Sequence, residues 1–124
     1  MTVFLIALFG GLGGLSRYLI SLNVPNVWGF PIATLLINLV GSFVLPIWNN
    51  HWGLKFDNKW HVAIGTGFIG AFTTFSGVVI DLIKMNLTHN YSGLIAYLIL
   101  SIVGGLLAAM LGIQLANKVR KGAE

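Results

Sequence analysis

Thr34, Asn38 and Ser42 recur at every fourth position of the otherwise apolar stretch "ATLLINLVGSF" (33–43). That spacing puts all three on one face of a helix. Such a stripe either ties neighbouring helices together by hydrogen bonds or lines a path for an ion. In the second case Asn38 is the central member, because a carboxamide NH2 donates to an anion. Tyr97 and Ser101 form a second i, i+4 pair that can face the same path. Arg17 lies within or just inside the first apolar run. It either snorkels to an interface or supplies positive potential in a vestibule that gathers anions.

Other chemistries lack their residues. There is no nucleophile–base pair and no phosphate loop, and His51, His61 and His89 have no metal-ligand spacing, so an enzyme is not expected. No Asp or Glu falls in the middle of an apolar run; Asp81 is close to an expected helix end. A proton-coupled carrier of cations or drugs needs an embedded carboxylate. A small multidrug-type four-helix exporter is therefore the weaker alternative to an anion path, beside a non-conducting structural partner subunit.

The stretch "GFIGAFTTFSGVV" (67–79) sets glycines, threonines and a serine inside an apolar run. Gly65, Gly67, Gly70 and Gly77 weaken a helix there, and Thr and Ser side chains satisfy freed backbone groups. In lipid an interrupted helix survives only where protein or a polar cavity buries the break. The break frees carbonyl oxygens able to hold a hard cation such as Na+. Phe72 and Phe75 carry partly positive ring edges beside it. A continuous glycine-rich helix packed closely on its neighbours is the other reading.

These residues must be positioned in lipid. The chain has 124 residues, 56% of them hydrophobic and 8% charged. A soluble domain carries about 25% charged residues, so an ordinary water-facing surface is excluded. "MTVFLIALF" has no basic residues ahead of its apolar segment and reads as a retained span, not a cleaved signal. With no cysteine, disulfides and thiolate metal sites are excluded.

A spanning helix needs about 20 mostly apolar residues, and windows 3–22, 30–49, 60–83 and 93–117 qualify. The expected fold is all-α: one four-helix transmembrane domain over residues 1–124, its third helix broken mid-membrane. Trp28, Trp48, Trp52, Trp60 and Tyr91 fall near the ends, where aromatic belts form. "GGLGG" aligns Gly10 with Gly14, and "GGLLAAMLG" aligns Gly104, Ala108 and Gly112, spacings that let backbones approach in lipid. Four spans enclose little, so at least a dimer is expected.

Lys55, Lys59, Lys118, Arg120 and Lys121 share the N-terminal side, against Lys84 and Arg17 on the other. Five against two favours both termini inside. The basic tail is a flank beside anionic membrane lipid, not a nucleic-acid site.

Together, "GGLGGLSRYL" (10–19), "ATLLINLVGSF" (33–43) and "GTGFIGAFTTFS" (65–76) resemble the CrcB/Fluc family of fluoride channels of prokaryotic cell membranes. The match covers the first three helices in order, and the third motif is the specific one. The resemblance implies an antiparallel, dual-topology dimer with two fluoride pores and a structural Na+ at its centre. It also implies passive exit of cytoplasmic fluoride. Asn38 matches the family's pore asparagine, Arg17 its first-helix arginine, and Phe75 the first phenylalanine of the pore box. Gly70 and Thr73 match positions offering backbone carbonyls to Na+. The second box position, three residues on, is Val78 here. That departure, with the charge bias, raises a heterodimer with an inverted paralogue beside the homodimer.

Overall fold

The structure, a computed structural model, describes residues 1–122. Helix α1 (Thr2–Asn23) is followed by α2 (Ile32–Ile47), which runs on through a π-helical turn (Trp48–Trp52) and a 3-10 turn (Gly53–Lys55). A third rod comprises α3 (Asn58–Val62), a π-helical stretch (Ala63–Ile69), α4 (Gly70–Phe72) and α5 (Phe75–Leu87). Helix α6 (Tyr91–Gly122) closes the bundle. Among the described residues four helical rods, Thr2–Asn23, Ile32–Lys55, Asn58–Leu87 and Tyr91–Gly122, are long and apolar enough to cross a membrane. At 1.5 Å per residue the shortest is about 33 Å long, enough for a hydrocarbon core of about 30 Å.

The rods differ in extent from the windows 3–22, 30–49, 60–83 and 93–117. The second starts at Ile32, after Pro31, and the third continues to Leu87. Between the first two, Val27 and Phe30 pair across a turn in which Trp28 and Gly29 take φ of 50° and 77°. Positive φ is unstrained at glycine and uncommon at Trp28. Within α2, Pro46 removes the N–H that the Ser42 carbonyl would otherwise accept.

Small residues set the distances between rods. A Cβ on Gly13 would overlap the Phe68 carbonyl, and one on Gly67 would stand 2.8 Å from the Ile6 carbonyl, so α1 lies directly against the π-helical stretch. The expected pair Gly10 and Gly14 does not make this approach: Gly14 has nothing within 4 Å, and Gly10 has only ordinary contact with Gly67. The packed face is turned by one residue, onto Gly13. Against α2, the expected Gly104 and Gly112 do pack, Gly104 on Leu39 and Gly112 on the Phe43 carbonyl.

Ile37 and Tyr97 fill the centre of the bundle, fully enclosed. Trp48 is also buried, its Nε1 donating to the His61 carbonyl at 3.0 Å and its ring stacked on Phe56. It therefore packs inside the bundle, whereas Trp28 is 95% exposed, as an aromatic at a span end is expected to be. The outer faces of α1 and α6 expose Leu12, Leu15, Leu106, Leu107 and Leu111, among others. An apolar surface this extensive suits lipid and not water.

Candidate functional site: the helix break and its cavities

The interruption of the third rod falls on two threonines and not on the glycines. Gly65, Gly67 and Gly70 all lie in continuous helical backbone. Thr73 (φ −74°, ψ 158°) and Thr74 (φ −149°, ψ 122°) are extended. Two extended residues free polar backbone groups, which in lipid must find partners.

Asn38 supplies two of them. Its Oδ1 accepts from the Thr74 N–H at 2.8 Å, and its Nδ2 donates to the Thr74 carbonyl at 3.0 Å. The Thr74 hydroxyl then accepts from the Gly77 N–H at 3.0 Å, capping the N-terminus of α5. The Thr73 hydroxyl donates back to the Ile69 and Gly70 carbonyls at 3.3 and 3.2 Å. Gly70 would ordinarily accept from the N–H four residues on, which is Thr74 and is given to Asn38. On the facing helix Gly41 makes room, because a Cβ there would overlap the Thr73 methyl. Gly77 does the same for Thr74, whose methyl would lie 2.6 Å from an added Cβ.

Asn38 also lines a large cavity, about 430 Å³, together with Ser42, Thr73, Phe75, Val78 and Ser101. One amide hydrogen of Asn38 is committed to Thr74; the other is not used in that pair. The Ser101 hydroxyl is buried with no hydrogen-bond partner among the described residues. Buried hydroxyls are normally satisfied, which makes this group a candidate donor to the cavity it lines. Phe75 opens α5 with its ring 83% exposed. Phe72, by contrast, is stacked on Phe68 with ring centroids 6.2 Å apart.

The stripe on α2 divides between two cavities. Thr34 does not line the large one; with Arg17, Ser21 and Thr74 it lines a second cavity of about 190 Å³. Thr74 borders both cavities, while its partner Asn38 borders only the larger of the two. Tyr97 is buried and outside the large cavity. Its hydroxyl faces Thr34 and Ser101 and donates to Asp81 Oδ2 at 3.3 Å.

Asp81 corrects an expectation. The sequence placed it near a helix end, but α5 runs on to Leu87, so the carboxylate sits inside the span against Tyr97. Thr74 and Gly41 were not singled out either. A threonine three residues before Gly77, at the start of a renewed apolar run, was the available N-cap signal for Thr74. Gly41 gave no local signal, because its importance lies in a residue on another rod.

The family model described as "CrcB-like protein, Camphor Resistance (CrcB)" matches residues 4–113. The chain is 39% identical over 118 residues to the fluoride-specific ion channel FluC 1 of Latilactobacillus sakei, covering 94% of this chain and 87% of the relative. A fluoride-specific ion channel FluC 1 of Bacillus cereus is 38% identical over 118 residues, 91% of this chain and 81% of the relative. A FluC 2 of Listeria monocytogenes is 36% identical over 125 residues, 96% and 93% of the two chains. With four spans, a broken third rod and these relatives, the chain is a multi-pass membrane protein that belongs to the CrcB family.

Proposed function

We propose that this chain is a subunit of a fluoride-specific channel that lets F− leave the cell passively. Beyond family membership, the observation that carries the reading is the cavity of about 430 Å³ whose lining includes Asn38, Ser42 and Ser101, the last with a buried hydroxyl that has no partner among the described residues. A small anion gives up strongly held water only where donors replace it, and these three groups are donors. The Phe75 ring edge adds a partly positive surface. Acid outside the cell converts fluoride to HF, which crosses lipid and dissociates inside, so passive exit of the anion suffices for protection. Asp81 does place a carboxylate inside the span, so what separates this reading from a multidrug-type exporter is membership of the CrcB family and not the lack of an acidic group.

Dimerisation with a copy or paralogue in inverted orientation is part of the proposal. It is supported by the exposure of Phe75, which one protomer leaves without a packing partner. The heterodimer is favoured by Val78 at the second box position. It is favoured as well by five basic residues at the end of the bundle holding the N-terminus, which oppose dual insertion. Numbered relatives, such as the FluC 1 and FluC 2 chains above, fit more than one such chain per cell.

A structural Na+ fits the donors at the break. Gly70 is exposed, with only ordinary contact over it, and backbone carbonyls suit a hard cation. The Gly70 and Thr73 carbonyls would hold the ion, which supplies fixed positive charge and ties the breaks together.

The test is halide efflux from proteoliposomes holding the purified chain, with its paralogue where one is required. Fluoride efflux at channel rates with little chloride efflux is expected. Equal passage of both halides, or proton-coupled cation uptake, would overturn the reading.

A further inference from the structure

Beyond the central cavities, a third of about 200 Å³ opens at the C-terminal end of α5, lined by Asn26, Asp81, Lys84, Met85 and Thr88. Asp81 and Lys84 are one turn apart on the same helix and share this cavity wall. The Asp81 carboxylate accepts from Tyr97, whose hydroxyl also faces Thr34 and Ser101. Thr34 borders the Arg17 cavity and Ser101 the large one. Tyr97 and Asp81 therefore separate the anion-binding groups from the cavity at this end. An anion moving between them approaches a fixed carboxylate, which repels it.

Lys84 meets that repulsion. It is exposed and makes no ion pair among the described residues, so its charge is not spent on Asp81 or another carboxylate. It is also the only Lys or Arg in the third rod beyond the break. We infer that Lys84, with the Asn26 side chain on the same wall, forms an outer collecting site for small inorganic anions; the Thr88 hydroxyl is committed to the Lys84 and Met85 carbonyls. The site offsets the field of Asp81 where the fluoride route meets solvent. This inference rests on the channel reading and assigns a rate-setting role to a residue outside the central site. The competing role for Lys84 is to snorkel to lipid headgroups, which carries no effect on anion flux.

The test compares wild type, Lys84→Arg, Lys84→Gln and Lys84→Glu as reconstituted conducting assemblies, measuring fluoride efflux at low and high concentrations of an inert salt. At low ionic strength Lys84→Arg should match wild type, Lys84→Gln should fall a few-fold, and Lys84→Glu should fall about tenfold or more. At about 1 M salt the Debye length shrinks to about 3 Å, and the four rates should converge. Comparable elution from size-exclusion and comparable melting temperatures separate flux loss from misfolding. Lys84→Glu conducting like wild type at low salt would overturn the inference and leave the channel reading intact. So would a loss that salt does not relieve. A wild-type assembly that passes no fluoride overturns the channel reading, and this inference with it.

Discussion

The Asn38 carboxamide and the Thr74 peptide unit form a closed two-bond pair, N–H to Oδ1 at 2.8 Å and Nδ2 to the carbonyl at 3.0 Å. The pair does two things at once. It satisfies the backbone where the third rod breaks, and it holds the carboxamide at the wall of the cavity with one N–H not used by Thr74. Of the two roles assigned to the α2 stripe, tying helices together is filled by Asn38, and lining an ion path is its proposed second role.

Asn38→Asp separates these roles. An ionised Asp keeps the acceptor for Thr74 but cannot donate to its carbonyl, and it places negative charge in the anion path. At about 4 Å and an effective dielectric near 20, like charges repel by roughly 4 kcal/mol. Fluoride flux should fall by about two orders of magnitude or more, measured by electrode in liposome efflux. Asn38→Ala orphans both Thr74 groups, which costs roughly 1–3 kcal/mol for each unsatisfied group, and should lower the melting temperature in detergent as well as the flux.

Gly41 and Thr73 should behave as a coupled pair. A Cβ at position 41 would overlap the Thr73 methyl, so Gly41→Ala should destabilise by about 1–3 kcal/mol, the usual range for overpacking. Thr73→Ser removes the offending methyl and keeps the hydroxyl that bonds Ile69 and Gly70. The double variant should recover most of the lost stability. Strict additivity of the two changes in a double-mutant cycle would contradict the contact.

Phe75 offers the opposite test. Its ring is 83% exposed in the protomer, so Phe75→Ala removes little packing there. Secondary structure by circular dichroism should be unchanged in the variant, while fluoride efflux falls at least tenfold. An equal loss of folding and flux would mean the ring is structural.

Val78 lines the large cavity close to Phe75 but presents methyl groups without an aromatic quadrupole. This chain alone should rescue a fluoride-sensitive, channel-deficient bacterium weakly, and co-expression with a paralogue should restore growth. Val78→Phe should raise rescue by the single chain. Full rescue by the unmodified chain would identify an ordinary homodimer.

Some of this was legible from residue order. Four apolar runs separated by short polar connectors fix four spans, because lipid demands long internally bonded helices and nothing else in the chain competes. The polar stripe, the threonine pair and the charge bias were visible for the same reason: in an apolar sequence each polar side chain stands out. The cause of the break was misassigned to glycine. Helix propensity alone blames Gly65, Gly67 and Gly70, yet all three stay helical, and at Gly65 and Gly67 the bare backbone lets Trp48 and α1 come close.

Sequence by itself determined the membrane setting, the number of rods and the family, since each follows from composition and local motif. Tertiary structure alone decided where the polar groups meet. Nothing local says that Asn38 reaches residue 74, thirty-six positions away, or that Gly41 makes room for the Thr73 methyl. Nor does spacing reveal that Thr34 and Ser42, on one stripe, open into different cavities, or that Asp81 is met inside the span by Tyr97. Those relationships depend on how rods are rotated and offset against one another, and the close approaches at Gly13, Gly67 and Gly112 set that geometry.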